Sequence, residues 1–293
     1  MKILLLGAGG QLGNTFIDVA NKNNIDITAF NRSELDITDA NALETVFTGI
    51  KPDFVVNAAA YTAVDKAETE HDQAFLINET GPKNIALACA KFDATLIHIS
   101  TDYVFNGEKQ SAFREDDITD PINAYGLSKW RGEEAVRNTL NKHIILRVSW
   151  VFGLHGNNFV KTMLQLAKER AELNIVGDQY GCPTATESIS KVILTIIEQL
   201  NNGKDDVYGT YHYCDKPVTN WYEFAQQIFA EAEEYGQLKL TKTNKISTKQ
   251  YTTPAKRPRN SEMDCSLIKK TFGIEQYDWQ QALNKVIKEL EQQ

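Results

Sequence analysis

The sequence predicts an α/β chain: a doubly wound parallel sheet with a smaller C-terminal lobe. Three observations predict it. Short continuous apolar runs, typical of strands buried on both faces, alternate with stretches of helical apolar spacing. A glycine-rich turn follows the first of these runs at once. A later run ends in hydroxyl residues, where an open parallel sheet gathers its ligand groups.

Residues 2–6 are the first strand, and Gly7-Ala8-Gly9-Gly10-Gln11-Leu12-Gly13 is the turn. Residues 14–20 then show helical spacing. Strand, glycine turn and helix in that order make a Rossmann-type dinucleotide site. Gly7 permits the tight turn, Gly10 admits a pyrophosphate to the backbone, and Gly13 lets helix and strand pack closely. The helix N-terminus offers free N–H groups and positive dipole to phosphates.

Residues 25–30 form the second strand, which ends in Asn31-Arg32 with no carboxylate for a ribose 2′-hydroxyl. Arg32 suits a 2′-phosphate, so NADPH is the expected cofactor, with NADH also accepted. Asp39 caps a helix through Phe47, and Asp36 and Ile37 are placed to face an adenine. Residues 53–57 are the next buried strand. Ala58, Ala59 and Ala60 follow it, small enough for a cofactor to lie against the backbone. Residues 65–79 and 82–92 read as two helices, 94–100 as a strand and 144–148 as another.

The strand ending at Ser100 runs into Thr101-Asp102-Tyr103, and after a loop come Tyr125 and Lys129. Four residues apart on a helix, these two share one face. A phenol has a pKa near ~10, and a nearby ammonium favours phenolate. Bringing it to ~7 requires roughly 4 kcal/mol, so a second positive charge such as a nicotinamide ring has to help. Tyr235 and Lys239 repeat the spacing, but after an acidic helix end and with Gly236 interrupting.

Composition bounds the partners. The chain has 293 residues, 42% hydrophobic and 24% charged, with net charge −8. That is ample for a sizeable core and argues against nucleic acid. No apolar run is long enough for a membrane span, and Met1-Lys2 leads directly into a strand rather than a signal peptide. Cys89, Cys182, Cys214 and Cys265 are scattered, which fits reduced thiols in the cytoplasm and gives no zinc spacing. No metal site is expected.

The second half gives helices over 158–171 and 186–200, a strand over 209–213, a helix from 221 and an amphipathic helix over 279–291. The expected organisation is a dinucleotide-binding domain over 1–150, with 186–213 returning to it. Residues 151–185 and 214–293 form mainly a substrate lobe. Lys256, Arg257 and Arg259 make a basic loop suited either to clamping a diphosphate or to lying solvated on the surface.

Taken together, GAGGQLG (7–13), LDITD (35–39), NAAAYTAVDKAE (57–68), STDYVF (100–105), YGLSK (125–129), RVSWVFGLHGNNF (147–159), DQYGCPT (178–184) and TPAKRPRNS (253–261) resemble the extended short-chain dehydrogenase/reductases. Within them the chain is most similar to reductases of 4-keto nucleotide sugars. The resemblance implies an NAD(P)H-dependent oxidoreductase of polysaccharide biosynthesis. Its expected reaction reduces the 4-keto group of dTDP-4-dehydro-L-rhamnose to dTDP-L-rhamnose. Thr101, Tyr125 and Lys129 would be the catalytic set, Tyr125 donating the proton. Gln11 and Leu12 would line the cofactor, and Tyr125 and Lys129 would also touch it, Lys129 holding the nicotinamide ribose and tuning Tyr125. Thr62, Val64, Thr101, Asp102, Tyr103, Trp150 and Arg257 would meet the dTDP-sugar, though core packing accounts for Trp150 as well. Related dehydratases carry an acidic pair after the strand-end threonine; here Asp102 is followed by Tyr103. An epimerase of the same fold and a catalytically silent cofactor-binding subunit stay open, as does a homodimer.

Overall fold

Leu4 and Leu6 face one side of the first strand and Ile3 and Leu5 the other, and all four are buried. A strand covered on both faces belongs inside a parallel sheet. The computed structural model describes residues 1–292. In chain order its first half runs β1 (Ile3–Leu6), α1 (Gln11–Lys22), β2 (Ile27–Phe30), α2 (Ala40–Ile50), β3 (Phe54–Asn57), α3 (Val64–Ala67), α4 (His71–Phe75), α5 (Gly81–Phe92), β4 (Thr95–Thr101), α6 (Ala124–Thr139) and β5 (His143–Val148). The second half runs β6 (Val151–Phe152), α7 (Phe159–Glu169), β7 (Glu172–Val176), β8 (Tyr180–Gly181), β9 (Thr184–Ala185), α8 (Thr186–Asn201), β10 (Gly209–His212), β11 (Thr219–Asn220), α9 (Trp221–Glu233), β12 (Lys242–Ile246), α10 (Ser266–Phe272) and α11 (Trp279–Glu291).

Six parallel strands form the main sheet in the order β10-β5-β4-β3-β1-β2. The chain leaves β1 toward β2, then returns to the other side of β1 as β3. That reversal opens a crevice beyond the carboxyl ends of β1 and β3. One face packs Leu4, Leu6, Val55 and Leu96 against Leu43, Phe47, Ile85 and Val136 of α2, α5 and α6. The other packs Leu5, Val56 and Ile97 against Phe16, Ile193, Ile196 and Phe272 of α1, α8 and α10. A separate core joins Phe152, Leu164, Ile175, Phe224, Ile228, Trp279 and Leu283, drawn from β6, α7, β7, α9 and α11. Thus β10 and α8 belong to the sheet layer, and so does α10, although it lies near the chain's end.

One expected element breaks. Residues 65–79 do not make one helix: α3 and α4 are separated at 68–70, and a π-helical turn (Leu76–Thr80) runs straight into α5. Side chains here serve other segments. Glu68 Oε1 accepts from Ala124 N–H at 2.8 Å, at the start of α6. Buried Asn78, within the π turn, accepts from Tyr61 N–H and donates to Tyr61 C=O and Ser128 Oγ. It ties the loop after β3 to α6.

Candidate active site

The crevice at the switch point is a cleft of about 360 Å³. Gly7, Gly10, Asn31, Arg32, Asp36, Ile37, Ala58, Ala59 and Ala60 line it, together with Gly9, Ser33, Leu35 and Ile77. Gly7 holds φ +89°, and a Cβ there would run into Ala59 N. A Cβ on Gly13 would collide with Gly7 C=O. Gly10, the N-cap of α1, brings no capping side chain, so the first N–H groups of that helix are left for an anion. A backbone cradle closed to side chains and an uncapped helix end fit a dinucleotide pyrophosphate. Two residues of the expected wall differ from the rest. Leu12 sends its side chain into the sheet core, leaving only its N–H for a ligand. Gln11 turns toward the second half of the chain, its Nε2 donating to Val151 C=O at 3.4 Å.

At the outer end, Asn31 Oδ1 accepts from Ser33 N–H and Ser33 Oγ, which fixes the turn after β2. Glu34 folds back to accept from Asn31 N–H at 2.8 Å and does not line the cleft. Arg32 is exposed on the rim. Asp36 spends one oxygen on Thr38 N–H and Oγ, and these bonds hold its carboxyl below the ordinary range.

The second group of expected residues meets at the carboxyl end of β4. Asn123 caps α6 by accepting from Gly126 N–H at 2.7 Å, so α6 begins where it presents Tyr125 and Lys129. A Cβ on Gly126 would collide with Tyr103 C=O, so glycine sets the approach of α6 to the turn at 102–104. Tyr103 and Tyr125 meet edge to face at 5.7 Å. Thr101 Oγ donates to Asp102 Oδ1 at 3.0 Å and accepts from Tyr103 N–H, and it acts on the Tyr125 phenol, favouring its charged form.

Burial pushes the Tyr125 phenol up, and the groups acting on it besides burial are Thr101, Asp102 and Tyr103. The Lys129 ammonium instead donates to Ile99 C=O at 2.7 Å, and burial lowers its pKa to about 8 against the opposing pull of Glu133. Shared face on a helix gives proximity, and the direction of the ammonium is decided by the nearest buried acceptor. The phenol is therefore kept protonated, the form that can donate.

Below this level lies an ion network that sequence reasoning missed. Glu133, fully buried one turn beyond Lys129, accepts from Ser100 Oγ, from Arg147 Nε and Nη2 at 2.9 and 2.7 Å, and from Arg137. Burial opposes its charge, yet the Arg147 guanidinium and the other donors hold it at about 2. Ser100, Arg147 and His212 stand in register across β4, β5 and β10. The only sequence signal was charged residues within buried runs.

A second cleft of about 390 Å³ opens in the lobe. Phe159, Trp221, Tyr251, Asn174, Gln179 and Arg257 are among its walls. Arg257 reaches Tyr103 and pairs with Asp65 at 3.0 Å, with its Nε buried and unpartnered. Thr62 and Val64 stand on the segment leading to Asp65. Trp150 has φ +46° and stacks on Trp221 with ring centroids 3.5 Å apart; its other neighbour is Gly181, where no side chain fits. Lys256 and Arg259 are exposed. Among the described residues no group of three or more His, Cys, Asp or Glu is arranged to hold a metal, and no helix is long and apolar enough to cross a membrane. All four cysteines are free and buried.

Comparison with known proteins places the chain. The family model described as RmlD substrate binding domain matches residues 1–292. A dTDP-4-dehydrorhamnose reductase of Aggregatibacter actinomycetemcomitans is 42% identical, covering 97% of this chain and 98% of the relative. A crystal structure of a dTDP-4-dehydrorhamnose reductase from Clostridium acetobutylicum superposes with a TM-score of 0.92 at 38% identity, over 99% of this chain and 100% of that one. The enzyme of the same name from Bacillus anthracis, solved in complex with NADP, gives 0.91 at 36% identity over 98% and 99%. A glycine-cradled nucleotide cleft leading to a threonine, a tyrosine and a lysine is thus the local form of a likeness that spans the whole length, and the chain belongs to the RmlD family, that of the dTDP-4-dehydrorhamnose reductases.

Proposed function

We propose that this chain is a cytoplasmic enzyme that reduces the 4-keto group of dTDP-4-dehydro-L-rhamnose with NADPH. The observation that carries the reading is a phenol, Tyr125, that burial keeps protonated, packed against Tyr103 in the turn that follows Thr101 at the end of β4. NADPH supplies the hydride when bound. Gly7, Gly10, Gln11, Leu12 and Ala58 to Ala60 hold its phosphates and rings by backbone, and Arg32 and Asn31 meet the 2′-phosphate. Tyr125 gives its proton to the carbonyl oxygen, and Thr101 donates a hydrogen bond to that oxygen as charge develops. Lys129, still cationic at neutral pH with a pKa of about 8, holds the nicotinamide ribose and stabilises the phenolate left behind.

The lobe, residues 151–185 and most of 214–293, takes the nucleotide. Thr62, Val64, Asp102, Tyr103 and Trp150 bound the sugar, and Arg257 exchanges Asp65 for a diphosphate. The test is NADPH oxidation by the purified chain with dTDP-4-dehydro-L-rhamnose, beside the Tyr125→Phe variant. Stoichiometric oxidation by the wild type alone is expected. Substrate conversion without net oxidation would make the chain an epimerase, and full activity in Tyr125→Phe would remove the phenol from the reaction.

A further inference from the structure

Trp150 is held in a way that its place after β5 does not by itself explain. It stands just beyond the carboxyl end of β5, where Val148 is in register with Thr101. Its φ of +46° lies in the left-handed region, which a bulky side chain rarely adopts. Backbone so placed persists only where its surroundings over-determine it. Thr184 N–H donates to Trp150 C=O at 3.1 Å, and the indole is closed on both faces. Trp221 covers one face, with ring centroids 3.5 Å apart and planes within 8°. Gly181 covers the other. A Cβ there would stand 2.5 Å from Trp150 Cε2 and meet two more atoms of that ring before any atom of Trp221. On the face that Trp221 occupies, it would meet Trp221 first.

One short ribbon supplies both jaws. β8 and β11 pair with Gly181 opposite Thr219 and Asn220 opposite Tyr180, and Trp221 is the next residue. Asn220 caps α9 by accepting from Glu223 N–H at 3.0 Å, which fixes the backbone of Trp221. Phe159 packs on the Trp221 ring with centroids 4.6 Å apart. Trp221 also lines the lobe cleft, whereas Trp150 does not. An occupant of that cleft therefore bears on Trp150 through Trp221.

We propose that Trp221 is a positioning residue for the reduction. It clamps the Trp150 indole against Gly181, so that a nucleotide seated in the lobe cleft sets where the sugar is held for hydride transfer. This rests on the reading of Trp150 as a wall of the sugar site and of the lobe cleft as the nucleotide seat. With both faces taken, Trp150 meets the sugar by its edge. An edge offers little area for affinity; what it gives is direction, and a clamp on the plane of the ring fixes that direction. A misplacement of about 1 Å at the reacting carbon costs on the order of a hundredfold in rate. Loss of the clamp therefore shows in kcat before it shows in KM.

The test is a cycle of substitutions read in steady-state kinetics. Trp221→Leu keeps apolar volume and removes the stack. With saturating NADPH, its kcat on dTDP-4-dehydro-L-rhamnose should fall about tenfold or more, while the KM for the sugar nucleotide stays within about threefold. NADPH binding, followed by fluorescence, should not change. Trp221→Phe, which puts a stacked ring back, should recover most of kcat. A rise in KM alone would make Trp221 a nucleotide contact, and no loss would make it packing; either overturns the clamp. In a Trp150→Leu background, Trp221→Leu should cost less than about twofold further, because nothing is left to clamp. Losses that multiply overturn it. Gly181→Ala presses on the indole from the other jaw, at a position outside the left-handed region. It should lower kcat in the wild type and lower it no further beside Trp150→Leu; equal loss in both overturns the clamp, and this pair decides alone if Trp221→Leu does not fold. The readings beneath fail differently. A wild type that oxidises no NADPH with this sugar nucleotide fells the reaction, and a rate untouched by Trp150→Leu fells the sugar wall.

Discussion

Two tyrosine–lysine pairs in this chain share one spacing and nothing else. Tyr125 and Lys129 sit on α6, capped by Asn123, with the lysine buried and the tyrosine packed against Tyr103. Tyr235 and Lys239 lie beyond α9, which ends at Glu233, and Tyr235 is 39% exposed. The first pair is perturbed because neighbours crowd it: the phenol is pushed up and the ammonium down. The second lies out in solvent, with no such neighbours around it. Spacing on a helix nominates a pair, and desolvation decides whether its proton can be put to use.

The largest expected effect breaks or keeps that contrast outright. Tyr125→Phe should lower NADPH-dependent reduction about a hundredfold or more, while Tyr235→Phe stays within about twofold. Equal losses would end the comparison. Next comes the frame under the first pair. Glu133→Gln leaves Arg147 buried without its carboxylate, and urea unfolding should show a loss on the order of 3–5 kcal/mol. A loss under about 1 kcal/mol would mean that water reaches the site.

A smaller effect has a sign worth tracing. Asp102, whose ordinary value is 3.8, is raised to about 6 by burial. Its contribution to stability is therefore full below about 4 and lost as pH rises through about 6. Asp102→Asn should raise the melting temperature at pH 8, by on the order of 2–3 kcal/mol in free energy, and make no difference at pH 3.5. A gain that persists in acid would assign the effect to packing. Smallest is Asp39→Ala, which removes the bonds to Asn41 and Ala42 N–H at the start of α2. About 1 kcal/mol should go, with the reduction rate unchanged.

The legible parts of the molecule were local ones. Gly7 and Gly13 announced a turn that only glycine fills, and Asn31, Asp36 and Ala58 follow strands whose ends the apolar runs marked. Helix α11 was readable from its apolar spacing alone. What the sequence hid depends on distant pairings. Glu133 looks like a surface residue of an amphipathic helix until β4 and β5 bring Ser100 and Arg147 to it. Ser261 is one serine among many until the loop over 255–261 buries it. The break between α3 and α4 was invisible because Asn78 and Glu68 are recruited by segments far along the chain.

The loop over 255–261 also ties late synthesis to an early pocket. Every wall of the nucleotide cleft comes from residues 7 to 77, yet the sheet that carries them is covered on one face by α8 and by α10, made near the end. Arg257 emerges just before α10. A half-made polypeptide therefore lacks cover for the pocket as well as support beside Tyr103, and binding and turnover mature together.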